Sequence, residues 1–209
     1  MVVGIDHQAL VGIAAAADCV LVLEPALGDF VPAGAPVFEI EGAAGRLDAD
    51  AALRALEFGL ERTLDQDVAY GLRMLVDIAE RSLSDSPFLD PTTAVQAIDR
   101  LHDCLRQLAP RPFPDGRYRD EKGNVRLVAR EMAWDDYVHL AFDEIRLAGA
   151  GSPQVARRMR SALEDLLAVA PPERRGVLKE QLELLQAGVD GAMNEARDRA
   201  WAGRGDPSG

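Results

Sequence analysis

The stretch from Glu61 to Leu101, ERTLDQDVAYGLRMLVDIAERSLSDSPFLDPTTAVQAIDRL, decides how this chain folds. Its apolar residues recur every three to four positions, the period of a helix with one buried face. At Asp90-Pro91-Thr92-Thr93 the pattern stops and restarts. Asp90 suits an N-cap, because its carboxylate can accept from the free amides of a first helical turn. Pro91 suits the first helical position, where its missing N–H costs nothing. The stretch therefore reads as helix, loop and helix. The first helix spans about Thr63–Ser84 and the loop is Ser84-Asp85-Ser86-Pro87-Phe88-Leu89. The second helix carries Ala94, Val95, Ile98, Leu101, Leu105 and Leu108 on its apolar stripe.

At 100° per residue, Leu64, Val68, Gly71, Leu72, Leu75, Ile78, Ala79 and Leu83 fall in one arc of the first helix. Arg62, Gln66, Arg73, Asp77 and Arg81 fall in another. Four-residue spacing lets Asp77 pair with Arg73 or Arg81. Such a stripe is either a solvated face, at ~0.3–0.5 kcal/mol per pair, or a partly covered network that positions the loop or an anion. The free amides before Ala94 could also hold an anion, although Asp90 already serves them as a cap. Arg62, Gln66, Asp67, Arg73, Asp77, Arg81, Asp90, Thr92 and Thr93 are the candidate ligand-binding or coupling residues.

Toward the N-terminus, Val2–Ile5 reads as a short strand and Asp6 as the cap of a helix to about Ala17. Cys19–Leu23 is a buried strand. Gly28-Asp29 and Ala33-Gly34 are turn signals before a strand holding Val37, Phe38 and Ile40. Residues 28–40 resemble half of a biotinyl/lipoyl-like barrel, but without the exposed lysine that would carry the cofactor. They read as part of a small β-rich subdomain over residues 1–45, and no cofactor is expected. Leu53, Leu56, Leu60 and Leu64 keep helical spacing, so the chain from Asp48 reads as almost all helix.

Toward the C-terminus, Arg111–Gly116 is a connector to a β-hairpin over residues 117–128 that turns at Asp120–Asn124. Arg117, Arg119, Lys122 and Arg126 make it a basic patch, either solvated or meeting a partner or membrane surface. Helices follow at about Trp134–Leu147, Pro153–Val169 and Pro172–Trp201. The last shows Val177, Leu178, Leu182, Leu185, Val189 and Met193 along one side, a surface that suggests a homo-oligomer. The fold class is α+β, mostly α: a helical bundle over residues 46–202 with the hairpin inserted, the small β subdomain before it, and a disordered tail at 203–209.

The chain has 209 residues, 48% of them hydrophobic, with 23 basic residues against 35 acidic ones and a net charge of −12. That balance repels phosphate backbones, so nucleic acid is not an expected partner. Cys19 and Cys104 have neither disulfide nor zinc spacing and read as buried free thiols in a reducing compartment. No run reaches the ~18 apolar residues of a membrane span. Leu10–Ala17 is short and lacks a basic region before it, so it does not read as a signal peptide. His7, His102 and His139 lack metal-site spacing, and neither a nucleophile elbow nor a phosphate loop is present. Asp65/Asp67 and Asp135/Asp136 are weak evidence of acid–base work in so acidic a chain. No catalytic residue or metal ligand is assigned. The enzyme alternative would gather Arg62, Asp67, Arg73, Asp77, Arg81 and Thr93 on the helix at 62–84 and the loop at 84–93.

Several segments, in order, resemble one uncharacterised bacterial family of predicted membrane proteins. They are Gly28-Asp29-Phe30-Val31, Glu61 through Asp67, Leu75 through Ser84, Asp90 through Ala94, Ile98-Asp99-Arg100-Leu101, Gly123 through Leu127 and Ala141 through Arg146. The similarity spans about Val3–Leu166. It departs at Ser84–Leu89, where a Pro-Gly-Ile-Asn-like turn is expected. In that family transmembrane helices precede a soluble C-terminal region, and this chain resembles that region. The resemblance implies a soluble domain beneath a membrane-embedded part, and the acidic surface, the lack of a secretion signal and the unpaired cysteines set the expectation that it lies on the cytoplasmic side of the bacterial inner membrane. It would sense a ligand, regulate or interact, and its partners would be the transmembrane part or a small anionic ligand.

Overall fold

Cys19–Leu23 (β2), with Cys19, Leu21 and Leu23 buried, is the inner strand around which the first of two compact units is built. The structure, a computed structural model, describes residues 1–42, 44–84 and 89–203. The first unit is Met1–Tyr70 together with Phe113–Met132; the second is Gly71–Pro112 together with the chain from Ala133 onward.

In the first unit, β1 (Val2–Ile5) leads into α1 (His7–Ala17), whose cap Asp6 accepts through Oδ1 from the Ala9 amide at 2.9 Å. Asp18 ends the helix with φ +53°, a left-handed conformation that Asp tolerates better than most residues. After β2 come β3 (Phe38–Gly42), α2 (Ala49–Arg54) and β4 (Leu56–Phe58). β5 (Arg117–Arg119) and β6 (Val125–Val128) return later in the chain. One sheet runs β3-β2-β6-β5, with β2 antiparallel to β3 and parallel to β6, so that Leu21 faces Leu127. β1 and β4 form a separate antiparallel ribbon. Leu10, Ala14, Ala17, Leu21, Leu23 and Leu127 make the core beneath α1.

This unit differs from the sequence expectation in two ways. The hairpin belongs to it because β6 pairs with β2, so a boundary at residue 45 with the hairpin inside the helical domain does not hold. The leucines at 53, 56, 60 and 64 do not share a helix: α2 stops at Arg54, and Leu56–Phe58 extends to pair with β1. The Met1 ammonium donates to the Gly59 carbonyl at 2.8 Å and the Gly59 amide donates back to Met1 at 3.0 Å. These two backbone bonds commit the chain there to a ribbon.

The second unit holds α3 (Val68–Leu83), whose first turn lies at the boundary, and α4 (Pro91–Leu108), α5 (Trp134–Gly149), α6 (Pro153–Val169), α7 (Arg175–Ala192) and α8 (Ala196–Ala202). The buried line of α3 is Leu72, Val76, Ala79 and Leu83, whereas Leu75 is half-buried and Ile78 exposed. Ala94, Ala97, Ile98, Leu101 and Leu105 form the buried stripe of α4, and Val138, Phe142 and Ile145 that of α5. The expected helix at 172–201 is a short 3₁₀ turn at Pro172–Arg174 followed by α7 and α8, broken where Met193 becomes extended. Val177, Leu178, Leu185, Val189 and Met193 of that stripe are buried within the unit, and Leu182 is half-buried. Asp85–Phe88 of the expected loop and residues 204–209 of the expected tail lie outside the described residues.

Candidate functional site

His7, Gln8, Val11, Gly12 and Ala15 recur on one face of α1, opposite the hairpin residues Tyr118–Lys122 and Arg126. Together they enclose a cleft of about 750 Å³ in the first unit. Its floor is apolar: a Cβ placed on Gly12 would meet nothing within 4 Å, and Val11 and Ala15 flank it. At one end the His7 ring stacks on the Tyr118 ring, with centroids 4.3 Å apart and planes 21° from parallel. The Tyr118 hydroxyl donates to Glu131 Oε1 at 2.5 Å, and His7 Nε2 lies 3.5 Å from the same oxygen. His7 and the Tyr118 hydroxyl hold the Glu131 carboxyl below its usual range. Burial, followed by the bond and charge of Glu131, pushes the Tyr118 phenol above its usual range, so it stays protonated and serves as a donor.

The cations on the hairpin differ in how they are held. Arg126 is locked: its Nε donates to Asp120 at 2.9 Å and its Nη1 to Asp18 at 3.0 Å and to the Cys19 carbonyl at 3.3 Å. Among the described residues Arg119 donates to the Gly123 carbonyl, at 3.2 Å. Among the described residues neither Arg119 nor Lys122 has a carboxylate within 4 Å. At the cleft, then, two positive charges lack a fixed counter-charge, beside the acidic Glu121.

Asp120 organises the turn, accepting from the Lys122 amide at 3.0 Å and the Asn124 amide at 2.9 Å. The Arg126 bond above all draws its carboxyl down to about 2. Because this pKa is depressed in the fold, its stabilising contribution is complete above the ordinary value of 3.8 and is lost as pH falls through about 2. The amide NMR signals of Lys122 and Asn124 are therefore expected to hold from pH 6 to 4 and to move toward random-coil positions with a midpoint near 2. A midpoint near 4 would show that Arg126 does not hold the turn.

The nine residues singled out in the sequence lie elsewhere. Arg62, Gln66 and Asp67 stand in the loop between β4 and α3. Asp67, only 5% exposed, accepts from Arg62 Nε at 2.8 Å and Nη2 at 2.7 Å, and through its other oxygen from the Tyr70 amide at 2.9 Å. Arg62 lies 5.0 Å over the Tyr70 ring and against Gly28, whose φ is +87°. Gln66 accepts from the Ile5 amide at 3.1 Å. These contacts clamp the loop to β1 and cap α3.

In the second unit Arg73 pairs with Glu144 of α5, and no ion pair joins Asp77 to Arg73 or Arg81 among the described residues. The expected Arg-Asp-Arg network is thus absent, because Glu144 takes the first guanidinium. Burial and then the charges of Glu144 and Asp77 push the Glu80 carboxyl up. Asp90 caps α4 as expected, accepting from the Thr92 and Thr93 amides at 3.1 and 3.2 Å and from the Thr93 hydroxyl at 2.6 Å. Thr93 also helps line a shallow cleft of about 250 Å³ with Leu75, Ile78, Gln96, Asp99 and Arg100.

Sequence reading missed two clusters. His7, Tyr118 and Glu131 form one. The other crosses α4 and α6: Arg158 donates to Asp99 at 2.5 Å and to His102 Nδ1 at 2.9 Å, and His102 Nε2 lies 2.8 Å from Asp165, which also takes Arg106. A guanidinium only donates, so His102 must accept at Nδ1 and donate to Asp165 from Nε2. Cys19 is buried and Cys104 half-buried, and burial raises both thiols. Among the described residues no group of three or more His, Cys, Asp or Glu could hold a metal ion, and no helix is long and apolar enough to cross a membrane.

These features define a mostly helical α+β domain with a mixed-character cleft and without a membrane-spanning helix among its described residues. The chain belongs to the family described as predicted membrane protein (DUF2254), whose pattern matches residues 1–165. It is similar to uncharacterized proteins of Mycobacterium bovis and of two strains of Mycobacterium tuberculosis. Each is 32% identical over 206 residues, which cover 94% of this chain and 39% of the relative. The chain thus spans about two-fifths of the length of these relatives. No solved structure matches it.

Proposed function

We propose that this chain is a non-catalytic, ligand-sensing regulatory domain of a bacterial membrane protein, placed on the cytoplasmic side, and that the α1–hairpin cleft is its sensor. The observation that carries this reading is the juxtaposition of an open apolar floor at Gly12 with Arg119 and Lys122, two cations without a fixed counter-charge among the described residues, on a protein of net charge −12. The matching ligand is a small organic anion. Its flat body would lie along Val11, Gly12 and Ala15 beside the Tyr118 ring, and its charge would sit between Arg119 and Lys122. An enzyme would need a poised acid, base or nucleophile, yet Tyr118 and Glu131 satisfy one another, and of the candidate residues Arg62, Gln66, Asp67, Arg73, Asp90 and Thr93 are used in a clamp, a pair and a cap.

Titration of the chain with benzoate, indole-3-acetate and adenosine monophosphate tests the reading. At least one is expected to shift the amide signals of Gly12 and Lys122. Gly12→Trp should abolish the shift by filling the floor. Arg119→Glu with Lys122→Glu should weaken binding at least tenfold. Gly12→Ala, which adds only a methyl group, controls for helix effects. Absence of any cleft shift with all three anions, or unchanged binding in Gly12→Trp, would overturn the proposal.

A further inference from the structure

The first unit gathers exposed large apolar side chains at one end. Met1 exchanges backbone hydrogen bonds with Gly59, which puts Phe58 and Leu60 beside it. The Val2 amide donates to the Asp29 carbonyl at 2.9 Å and the Gly28 amide to the Val2 carbonyl at 2.8 Å, which brings Phe30 to the same end. Arg62, lying against Gly28 and bound to Asp67, ties in the loop that carries Leu64 and leads to Val68 at the start of α3. Exposure is 74% for Phe30, 48% for Phe58, 99% for Leu60, 58% for Leu64 and 51% for Val68. Single exposed apolar residues are ordinary; a group drawn together from three segments marks an interaction surface.

Charge selects the partner. Glu61, next to Leu60, and Asp65, next to Leu64, are exposed and have no basic partner within 4 Å among the described residues, and the Arg62 charge is taken by Asp67. An acidic rim on an acidic protein disfavours an anionic lipid surface, which attracts basic segments. It complements the lysines and arginines that flank apolar helices where they leave the membrane on the cytoplasmic side. About three-fifths of the length of the mycobacterial relatives lies outside the region this chain matches. We infer that the Phe30–Phe58–Leu60–Leu64–Val68 face docks on a basic-flanked apolar segment in the membrane-embedded part of the full-length family protein. The inference rests on membership of a membrane-protein family and on the cytoplasmic placement proposed above, and not on the cleft.

The test exchanges this chain for the matched region of the longer Mycobacterium tuberculosis relative, with photoreactive benzoylphenylalanine at position 60 or 64, or at the control Leu147, which is 70% exposed in the second unit. Irradiation in membranes is expected to give cross-links from positions 60 and 64, but not 147, to peptides of the same polypeptide outside the exchanged region. Leu64→Glu should reduce the yield from position 60 at least fivefold. Cross-links confined to lipid or to the same face of a second copy, or none at all, would overturn the inference. If the hybrid fails to assemble, the isolated chain decides. It is expected to stay monomeric in light scattering and not to float with vesicles of phosphatidylcholine and phosphatidylglycerol at 3:1. A dimer, or flotation, that Leu60→Glu with Leu64→Glu abolishes would overturn the inference in favour of self-association or of lipid. Binding of anions in the cleft is expected to be the same in these variants, so the two proposals fail separately.

Discussion

Gly116→Ala is expected to destabilise the first unit by about 3–4 kcal/mol, combining ~1–2 for a left-handed backbone and ~1–3 for an overpacked contact. Gly116 has φ +72°, and a Cβ there would stand 2.3 Å from the Ala129 carbonyl oxygen. That oxygen is backbone, and the Ala129 amide donates to the Gly116 carbonyl at 2.9 Å, so the two strands cannot separate without losing the bond that starts the hairpin. Gly123→Ala is the control. Its φ is +82°, yet a Cβ there meets nothing within 4 Å, so only the conformational cost of about 1 kcal/mol should appear. Hydrogen exchange at Leu21 and Leu127, the parallel pair of the sheet, reads this unit separately from the helical one. Equal losses in the two variants would show that the Ala129 contact does not confine Gly116.

The elements that the sequence announced are those whose cause is local. Asp6, Asp90 with Pro91, the Asp120 turn and Pro153 each act within a few residues, and the structure places a helix start or a turn at every one. The missed assignments were decided from far away. Leucines at 53, 56, 60 and 64 fit a helix as well as anything, until Met1 and Val2, more than fifty residues earlier, recruit Leu56–Gly59 as ribbon. Arg73 faced a convenient Asp77, but Glu144 competes for it from α5. The hairpin reads correctly in outline, yet its membership of the first unit depends on β6 lying parallel to β2, a pairing that no local pattern encodes. For the same reason the cleft could not be seen: it needs one face of α1 and a hairpin more than a hundred residues later.

Asp67→Ala should cost about 3 kcal/mol, the larger part of it by freeing Arg62. The carboxylate has two jobs. It caps α3 through the Tyr70 amide, and losing such a cap costs ~1 kcal/mol. It also neutralises Arg62, and removing one partner of a buried pair costs ~3–5 kcal/mol, a figure discounted here because the Arg62 side chain is 26% exposed. Arg62 cannot easily find another site, since its guanidinium is held between the Tyr70 ring and Gly28. Asp67→Asn keeps an oxygen for the cap but loses the charge, so it separates the two jobs; a loss of about 2 kcal/mol is expected there. Arg62→Met with Asp67→Asn should recover most of that 2 kcal/mol, because no charge is then left without its partner. Urea unfolding of the four proteins, with hydrogen exchange at the Tyr70 amide as the local probe, measures all three quantities. Failure of the double variant to recover stability would mean that Asp67 acts as a cap alone, with Arg62 contributing only to the surface.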